Sequence, residues 1–361
     1  MKLETSTSNL IVICLFLLAA IFTVTALVTD NGDEEKSTTA ETIEKGVEEG
    51  IEEGLAKINP ANIIKTNDDK DDDGPKYKVN VQEPMKGDPF KELDKLIGLD
   101  DVKAEVRSLA NYVKVQKERK DRGLETAKVS YHCVFSGNPG TGKTTIARIL
   151  ARIYKDLGVV KRGQFVETDR SGLIAEYTGQ TAQKTLAVCN AALDGVLFID
   201  EAYALTESKG AGGGTYGDEA IATLLKFMED NRDRVVVIVA GYKDEMKKFI
   251  SINPGLESRF TRYIDFPDYS ADDLYKIYML NIDKYKYKLD ADADTYLRKQ
   301  LKNVVATKTR YFGNARYVRN LFERTVTNQS DRLGRTDNHT EKQLQQITLS
   351  DVSKAIKQVK N

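Results

Sequence analysis

Gly137-Asn138-Pro139-Gly140-Thr141-Gly142-Lys143-Thr144 is the stretch whose reading decides the fold of this chain of 361 residues. Two glycines at the first and sixth places, followed by lysine and threonine, have the spacing of a loop that wraps phosphates. The glycines let the backbone curl so that successive N–H groups aim at phosphate oxygens, and the N-terminus of the following helix adds its positive dipole end. The flanks supply what those mechanics need. Val129 to Phe135 is an apolar run of strand length, and Ile146, Ile149, Leu150 and Ile153 recur at helical spacing over residues 144–157. Lys143 is expected to reach the β- and γ-phosphates of ATP, and Thr144 to offer its hydroxyl to Mg²⁺. Asn138, Pro139, Gly140, Thr141, Gly142 and Thr145 complete the expected nucleotide cradle.

Downstream, Val196-Leu197-Phe198-Ile199 ends in Asp200-Glu201. An apolar run closing on two carboxylates fits a buried strand that delivers them to the C-terminal edge of a sheet, where ligands sit in such folds. Asp200 is expected to hold Mg²⁺ directly or through water, and Glu201 to orient and activate the attacking water. Two carboxylates beside phosphates are costly unless a metal and a water use them, so the pair points to hydrolysis rather than binding alone.

Around these segments strands and helices alternate: strand at 164–168, helix at 180–193, strand at 195–199, helix at 219–230, strands at 235–240 and 263–266. That alternation predicts an α/β fold with a parallel sheet sandwiched by helices, over residues 89–267. After Pro267 the pattern turns wholly helical, which predicts a small all-helical lid over 268–361. Residues 91–123 read as one or two amphipathic helices, with Leu99, Val102, Val106, Leu109 and Val113 on one face.

The N-terminal quarter is different. After a short tail at 1–9, Leu10 to Val28 holds no charge and spans about 28 Å as a helix, close to a bilayer core. A cleaved signal peptide is the alternative. The requirement for ATP favours a retained transmembrane helix with the body on the cytosolic side, although the flanking charges barely vote on orientation. Residues 29–88 are acid-rich and read as a flexible linker, within which Ile43, Val47, Ile51 and Leu55 make a helical stripe weakened by Gly46, Gly50 and Gly54. The net formal charge of −1 gives no reason to expect nucleic acid as a partner. Cys14, Cys133 and Cys189 sit at no metal-binding spacing, and His132, inside a strand run, reads as a core residue rather than a ligand.

Taken together, Ile97-Gly98-Leu99, the GNPGTGKT loop, FIDEAYAL at 198–205, GDEAIATLLKFMEDN at 217–231, Ala240-Gly241-Tyr242, NPGLESR at 253–259 and GNAR at 313–316 resemble an AAA+ ATPase of the CbxX/CfxQ (stage V sporulation protein K-like) family. The resemblance covers nearly all of the body and neither the apolar N-terminal span nor the linker. It implies an ATP hydrolase working as a homo-oligomeric, hexameric ring on a protein client. It implies further that Arg259, with Arg262 as a second candidate, is an arginine finger reaching a neighbour's ATP, and that Arg316 is a lid arginine sensing the γ-phosphate. It places Gly98 and Leu99 near adenine, which competes with Leu99 as part of the core stripe. Tyr177-Thr178-Gly179 resembles an aromatic pore loop that contacts client, the alternative being a tyrosine packed over the next helix; Gly210 to Gly214 resembles a second pore loop. One departure stands out. Many AAA+ members place an Asn at the end of the fourth strand to position water, and Tyr242 holds that place here. Two functions follow: a membrane-anchored ring that remodels or threads a protein, or a nucleotide-switched membrane scaffold.

Overall fold

The computed structural model describes residues 77–126, 130–177, 179–206 and 216–359. The expected transmembrane helix at 10–28, the linker up to residue 76, Cys14, Thr178 and the glycine-rich segment at 210–214 lie outside the described residues. Among the described residues no helix is long and apolar enough to cross a membrane.

Eight strands and thirteen α-helices are described. The strands are β1 (Val81–Gln82), β2 (Cys133–Gly137), β3 (Phe165–Thr168), β4 (Gly195–Ile199), β5 (Val235–Gly241), β6 (Arg262–Phe266), β7 (Lys288–Leu289) and β8 (Gln346–Ile347). The helices are α1 (Pro89–Lys95), α2 (Asp100–Asp121), α3 (Lys143–Leu157), α4 (Arg170–Leu173), α5 (Thr181–Ala191), α6 (Tyr216–Asp230), α7 (Lys243–Ile252), α8 (Pro254–Arg259), α9 (Ala271–Lys284), α10 (Ala291–Ala306), α11 (Ala315–Leu333), α12 (Glu341–Gln345) and α13 (Leu349–Gln358).

The main sheet runs β1-β3-β4-β5-β2-β6. Its last five strands are mutually parallel, as the alternating pattern predicts, but β1 pairs antiparallel with β3 through Val81 opposite Val166. The sheet is therefore mixed, which corrects the expected all-parallel sheet. The extra edge comes from a stretch read as linker, and its two paired residues are too few to leave a periodic signal. A second correction falls in the lid. It is not wholly helical, because β7 and β8 form a short parallel pair.

The buried strands alternate their side chains between two helical layers, as a pleated strand must. Cys133, Phe135, Val196, Phe198 and Ile238 face one layer, with Val106 of α2 and Ile146 and Leu150 of α3. Val134, Leu197, Ile199, Val237 and Val239 face the other, with Val188 of α5, Leu224 of α6 and Phe249 of α7. Each fully buried aromatic such as Phe135 contributes about 1.5–3 kcal/mol of apolar transfer free energy. The first layer continues into the lid through Leu274, Tyr278, Leu297 and Leu321, so body and lid share one core.

Cys133, Cys189 and His132 are all buried. His132 sits at the foot of β2, where its Nδ1 accepts from the Val237 N–H at 2.9 Å, and burial first, then the nearby Arg259 charge, depress its pKa from 6.5 to about 4. The folded ring thus holds a proton more weakly than the unfolded one, and acid favours unfolding. That stabilisation is complete above about pH 6.5 and is lost as pH falls toward about 4, at a total cost of about 3 kcal/mol. His132→Asn keeps a side-chain acceptor for Val237 without titrating in this range. Urea unfolding from pH 7 to pH 4 should show the wild type losing more stability than the variant; parallel curves would exclude a neutral buried imidazole.

Candidate nucleotide site

The phosphate loop lies between β2 and α3, as its spacing requires. At Gly137 φ is +151°, and a Cβ there would lie 2.3 Å from the Phe266 carbonyl oxygen of the adjacent strand. At Gly140 φ is +73°, and a Cβ would lie 2.4 Å from the Gly313 carbonyl oxygen in the lid. Only glycine suits either place, for backbone conformation and for space. Lys143 is buried at the first turn of α3, and its Nζ donates to the carbonyls of Gly137 (2.7 Å) and Asn138 (2.9 Å). Thr141, wholly buried, bonds its hydroxyl to the Asn138 carbonyl at 2.8 Å, while Thr144 is half-buried and Thr145 exposed. The loop is thereby braced from inside with its lysine folded along it.

Asp200 and Glu201 follow β4 at the C-terminal edge of the sheet. The Asp200 N–H still bonds to the Thr168 carbonyl (2.9 Å), extending the ladder, and its carboxylate accepts from the Glu201 N–H (3.1 Å). Glu201 has φ +49°, a left-handed conformation that a non-glycine residue adopts at a free-energy cost and that turns the carboxylate out of the strand direction. Burial lowers the affinity of Lys143 for its proton, against the pull of Asp200 and Glu201. Burial raises the pKa of Asp200 even though Lys143 and Arg316 oppose it; burial and then the Asp200 charge raise that of Glu201. These mutual influences place Lys143, Asp200, Glu201 and Arg316 in one charged cluster, with Arg316 at the first turn of α11 in the lid. A carboxylate with raised proton affinity beside a phosphate loop is suited to accept a proton from water.

Residues 133–268 match the ATPase family associated with various cellular activities (AAA), and residues 270–361 match the AAA lid domain. The chain is 40% identical over 264 residues to stage V sporulation protein K of Bacillus subtilis (strain 168), covering 73% of this chain and 81% of that one. The chain belongs to the AAA ATPase family. It is also 44% identical over 238 residues to the plasmid protein CbxX of Cupriavidus necator, covering 66% of this chain and 74% of that one. This puts it with the CbxX/CfxQ and stage V sporulation protein K-like members. In fold it is similar to the FIGL-1 AAA domain crystallised with ADP, at a TM-score of 0.53 and 18% identity over 74% of this chain and 83% of that one. As an AAA ATPase it binds and hydrolyses ATP.

The remaining expected residues of this AAA ATPase divide by location. Arg259, at the end of α8, and Arg262, at the start of β6, lie at the opposite edge of the sheet from Lys143: Arg262 pairs with Cys133, the first residue of β2, and Ser130 bonds to the Arg259 carbonyl (2.6 Å). The Arg259 guanidinium bonds to Glu229 (2.9 Å) and to the Gly255 carbonyl (3.3 Å), and Arg262 lies over the Tyr112 ring at 5.1 Å. Each keeps a buried Nε without a hydrogen-bond partner. Tyr177 is 68% exposed, so it does not pack over the next helix, and Gly179 beside it has φ +80° with open space around its Cα. Leu99 is buried in the core in a left-handed conformation, as its place in the helical stripe predicts, and its side chain also abuts Gly142 of the loop.

Tyr242 stands just past β5, between the strands of the phosphate loop and of Asp200, and its hydroxyl is held above its usual range by burial and then by Glu201. Its ring meets Tyr203 at 6.0 Å and Tyr311 of the lid at 4.8 Å. Sequence reasoning assigned no role to Asp268 and Asn314, which join loop and lid, or to Tyr311, which joins the lid to Tyr242. Their only signals were that Asp268 follows Pro267, that Asn314 lies within the GNAR segment and that Tyr311 stands two residues before it.

Proposed function

We propose that this AAA ATPase is a membrane-anchored ring, hexameric as in related machines, whose ATP sites are each completed by a neighbouring copy and whose turnover remodels or threads a protein client. The observation that supports it most is the position of Arg259. Five residues of β2 separate the two edges of the sheet, about 13 Å at strand rise, and Arg259 and Arg262 stand at the edge away from Lys143. Neither guanidinium reaches its own chain's phosphate loop, so a cation at either place serves a different copy. A head-to-tail contact of that kind makes a ring when its rotation closes on itself.

Within the site, the glycine loop and Lys143 bind and orient the phosphates. Glu201 accepts the proton of the attacking water, Arg316 engages the γ-phosphate from the lid, and Arg259 or Arg262 of the neighbour stabilises charge on the transferring phosphoryl group. Two hard oxygen donors, the Thr144 hydroxyl and the Asp200 carboxylate, fit Mg²⁺, which when bound neutralises phosphate charge. Among the described residues no cluster of His, Cys, Asp and Glu could cage a metal by itself, in keeping with an ion held mainly by phosphates and water. The exposed Tyr177 beside a glycine suits contact with an extended polypeptide. The uncharged span at Leu10 to Val28 supports the anchor, and the need for ATP puts the body on the cytosolic side.

A shared site makes activity depend on assembly. ATP turnover per subunit of the body should rise steeply with protein concentration and then plateau, and on dilution it should fall toward background. Constant turnover per subunit at dilutions where sizing shows the assembly has come apart would show that one copy holds a complete site.

A further inference from the structure

Between the end of β6 and the start of the lid lies a small polar network that the catalytic reading does not use. Asp268, two residues past β6, presents one carboxylate to three partners. Its Oδ1 accepts from Asn138 Nδ2 of the phosphate loop at 2.9 Å and from Asn314 Nδ2 of the lid at 2.8 Å, and its Oδ2 accepts from Lys308 Nζ at 2.6 Å. Burial would raise its pKa, but the bonds from Lys308, Asn314 and Asn138 outweigh that and hold it below the usual carboxylate value.

Asn314 is the other half of the network. It is fully buried, with φ +47° and ψ −120°, a conformation that side-chain-bearing residues avoid. Its amide is wholly committed: Oδ1 accepts the Tyr269 N–H at 2.9 Å, and Nδ2 spans Asp268, the Phe312 carbonyl at 3.0 Å and the Pro139 carbonyl at 3.4 Å. The next residue, Ala315, donates its N–H to the Gly140 carbonyl at 3.2 Å, and a Cβ at Gly140 would lie 2.8 Å from the Arg316 nitrogen. The first turn of α11 therefore rests directly on the phosphate loop, in a backbone conformation that these bonds compensate. Arg316 is the second residue of that turn.

We propose that Asp268 is a positioning residue: through Asn138 and Asn314 it locks the phosphate loop to the lid and so sets where Arg316 meets the γ-phosphate. The inference rests on the role given above to Arg316. Movement of the loop backbone at 138–140 on binding phosphate is passed to Asn314 through the shared carboxylate, and from there to the arginine. Asp268 itself touches no substrate in this arrangement, and Lys143 and the loop N–H groups bind ATP without it.

The experiment is a double-mutant cycle on the full chain with Asp268→Ala, Arg316→Ala and the double variant, measuring kcat, KM and the Kd of a fluorescent ATP analogue. Asp268→Ala should lower kcat by about tenfold while Kd stays within about threefold of the wild type, and the double variant should match Arg316→Ala alone. If thermal melting shows that Asp268→Ala does not fold, Asp268→Asn replaces it. That variant keeps one acceptor oxygen but turns an amide toward Lys308, and a smaller kcat loss with the same non-additivity is expected. Multiplying effects in the double variant, or wild-type kcat in either Asp268 variant, would overturn the inference. Wild-type kcat in Arg316→Ala would instead overturn the role of Arg316, and the positioning role with it.

Discussion

Glu201→Gln is expected to bind ATP as well as the wild type and to hydrolyse it about a hundredfold to ten-thousandfold more slowly, the usual range for loss of a positioned general base. The substitution keeps the size and shape of the side chain and removes only its capacity to take a proton. Glu201 stands at the end of β4 with φ +49°, clear of the phosphate-loop contacts that Lys143 makes with Gly137 and Asn138. Binding therefore has no reason to weaken. It should strengthen slightly, because the variant removes a negative charge from beside the phosphates. The same electrostatics give turnover a sign with pH. Glu201 must be ionised to act as base, and its raised pKa means that activity falls with acid sooner than an ordinary glutamate would allow. Single-turnover hydrolysis and equilibrium binding of a labelled ATP analogue check both parts. Hydrolysis within a few-fold of the wild type would remove Glu201 from the chemistry. On the proposed remodelling function, the variant held in ATP should also retain a protein client, and a specific protein co-purifying with it would identify that client.

Arg259→Ala is expected to bind ATP normally and to lose about a thousandfold or more of turnover, the magnitude reported by arginine fingers in general. In its own chain the guanidinium bonds to Glu229 and the Gly255 carbonyl, with Nε buried and unpaired. Truncation removes a part-exposed ion pair, worth at most about 1 kcal/mol, so melting should hardly move. A large catalytic loss with small structural loss marks a group that acts in the chemistry, and from the edge of the sheet away from Lys143 that action falls on another subunit's site. Arg262→Ala serves as the comparison. Its side chain is held over Tyr112, and the smaller of the two losses marks the arginine that braces the interface rather than the phosphate. If Arg259→Ala melts far below the wild type, its role is in folding and the shared-site account weakens.

Much of this was legible in the sequence because the constraints are local. The phosphate loop shows because glycine is favoured where φ is positive and required where a Cβ would also strike neighbouring backbone, as at Gly137 and Gly140. The strand Gly195–Ile199 shows because burial on both faces demands a continuous apolar run. What the chain concealed is non-local. The edge strand Val81–Gln82 exists only through its pairing with β3, and β7 and β8 hold each other across the lid. Asp268 reads as an ordinary loop carboxylate until the fold brings Asn138 and Asn314 to its oxygens from 130 and 46 positions away. The separation of Arg259 from the phosphate loop is likewise a consequence of strand direction: both belong to recognisable segments, and only the parallel pairing of β2 with β6 puts them at opposite edges.

The central claim is that one copy's Glu201 works with another copy's Arg259. Mixing two inactive variants tests it most directly. Glu201→Gln subunits keep an intact Arg259, and Arg259→Ala subunits keep an intact Glu201. In a random equimolar assembly each contact has an even chance of an intact Glu201 and an even chance of an intact Arg259 facing it, so about a quarter of the sites are complete. The shared-site account predicts ATP turnover near about a quarter of the wild type on mixing, far above either variant alone. Turnover equal to the average of the two separate variants, in a sample shown to exchange subunits, would contradict it.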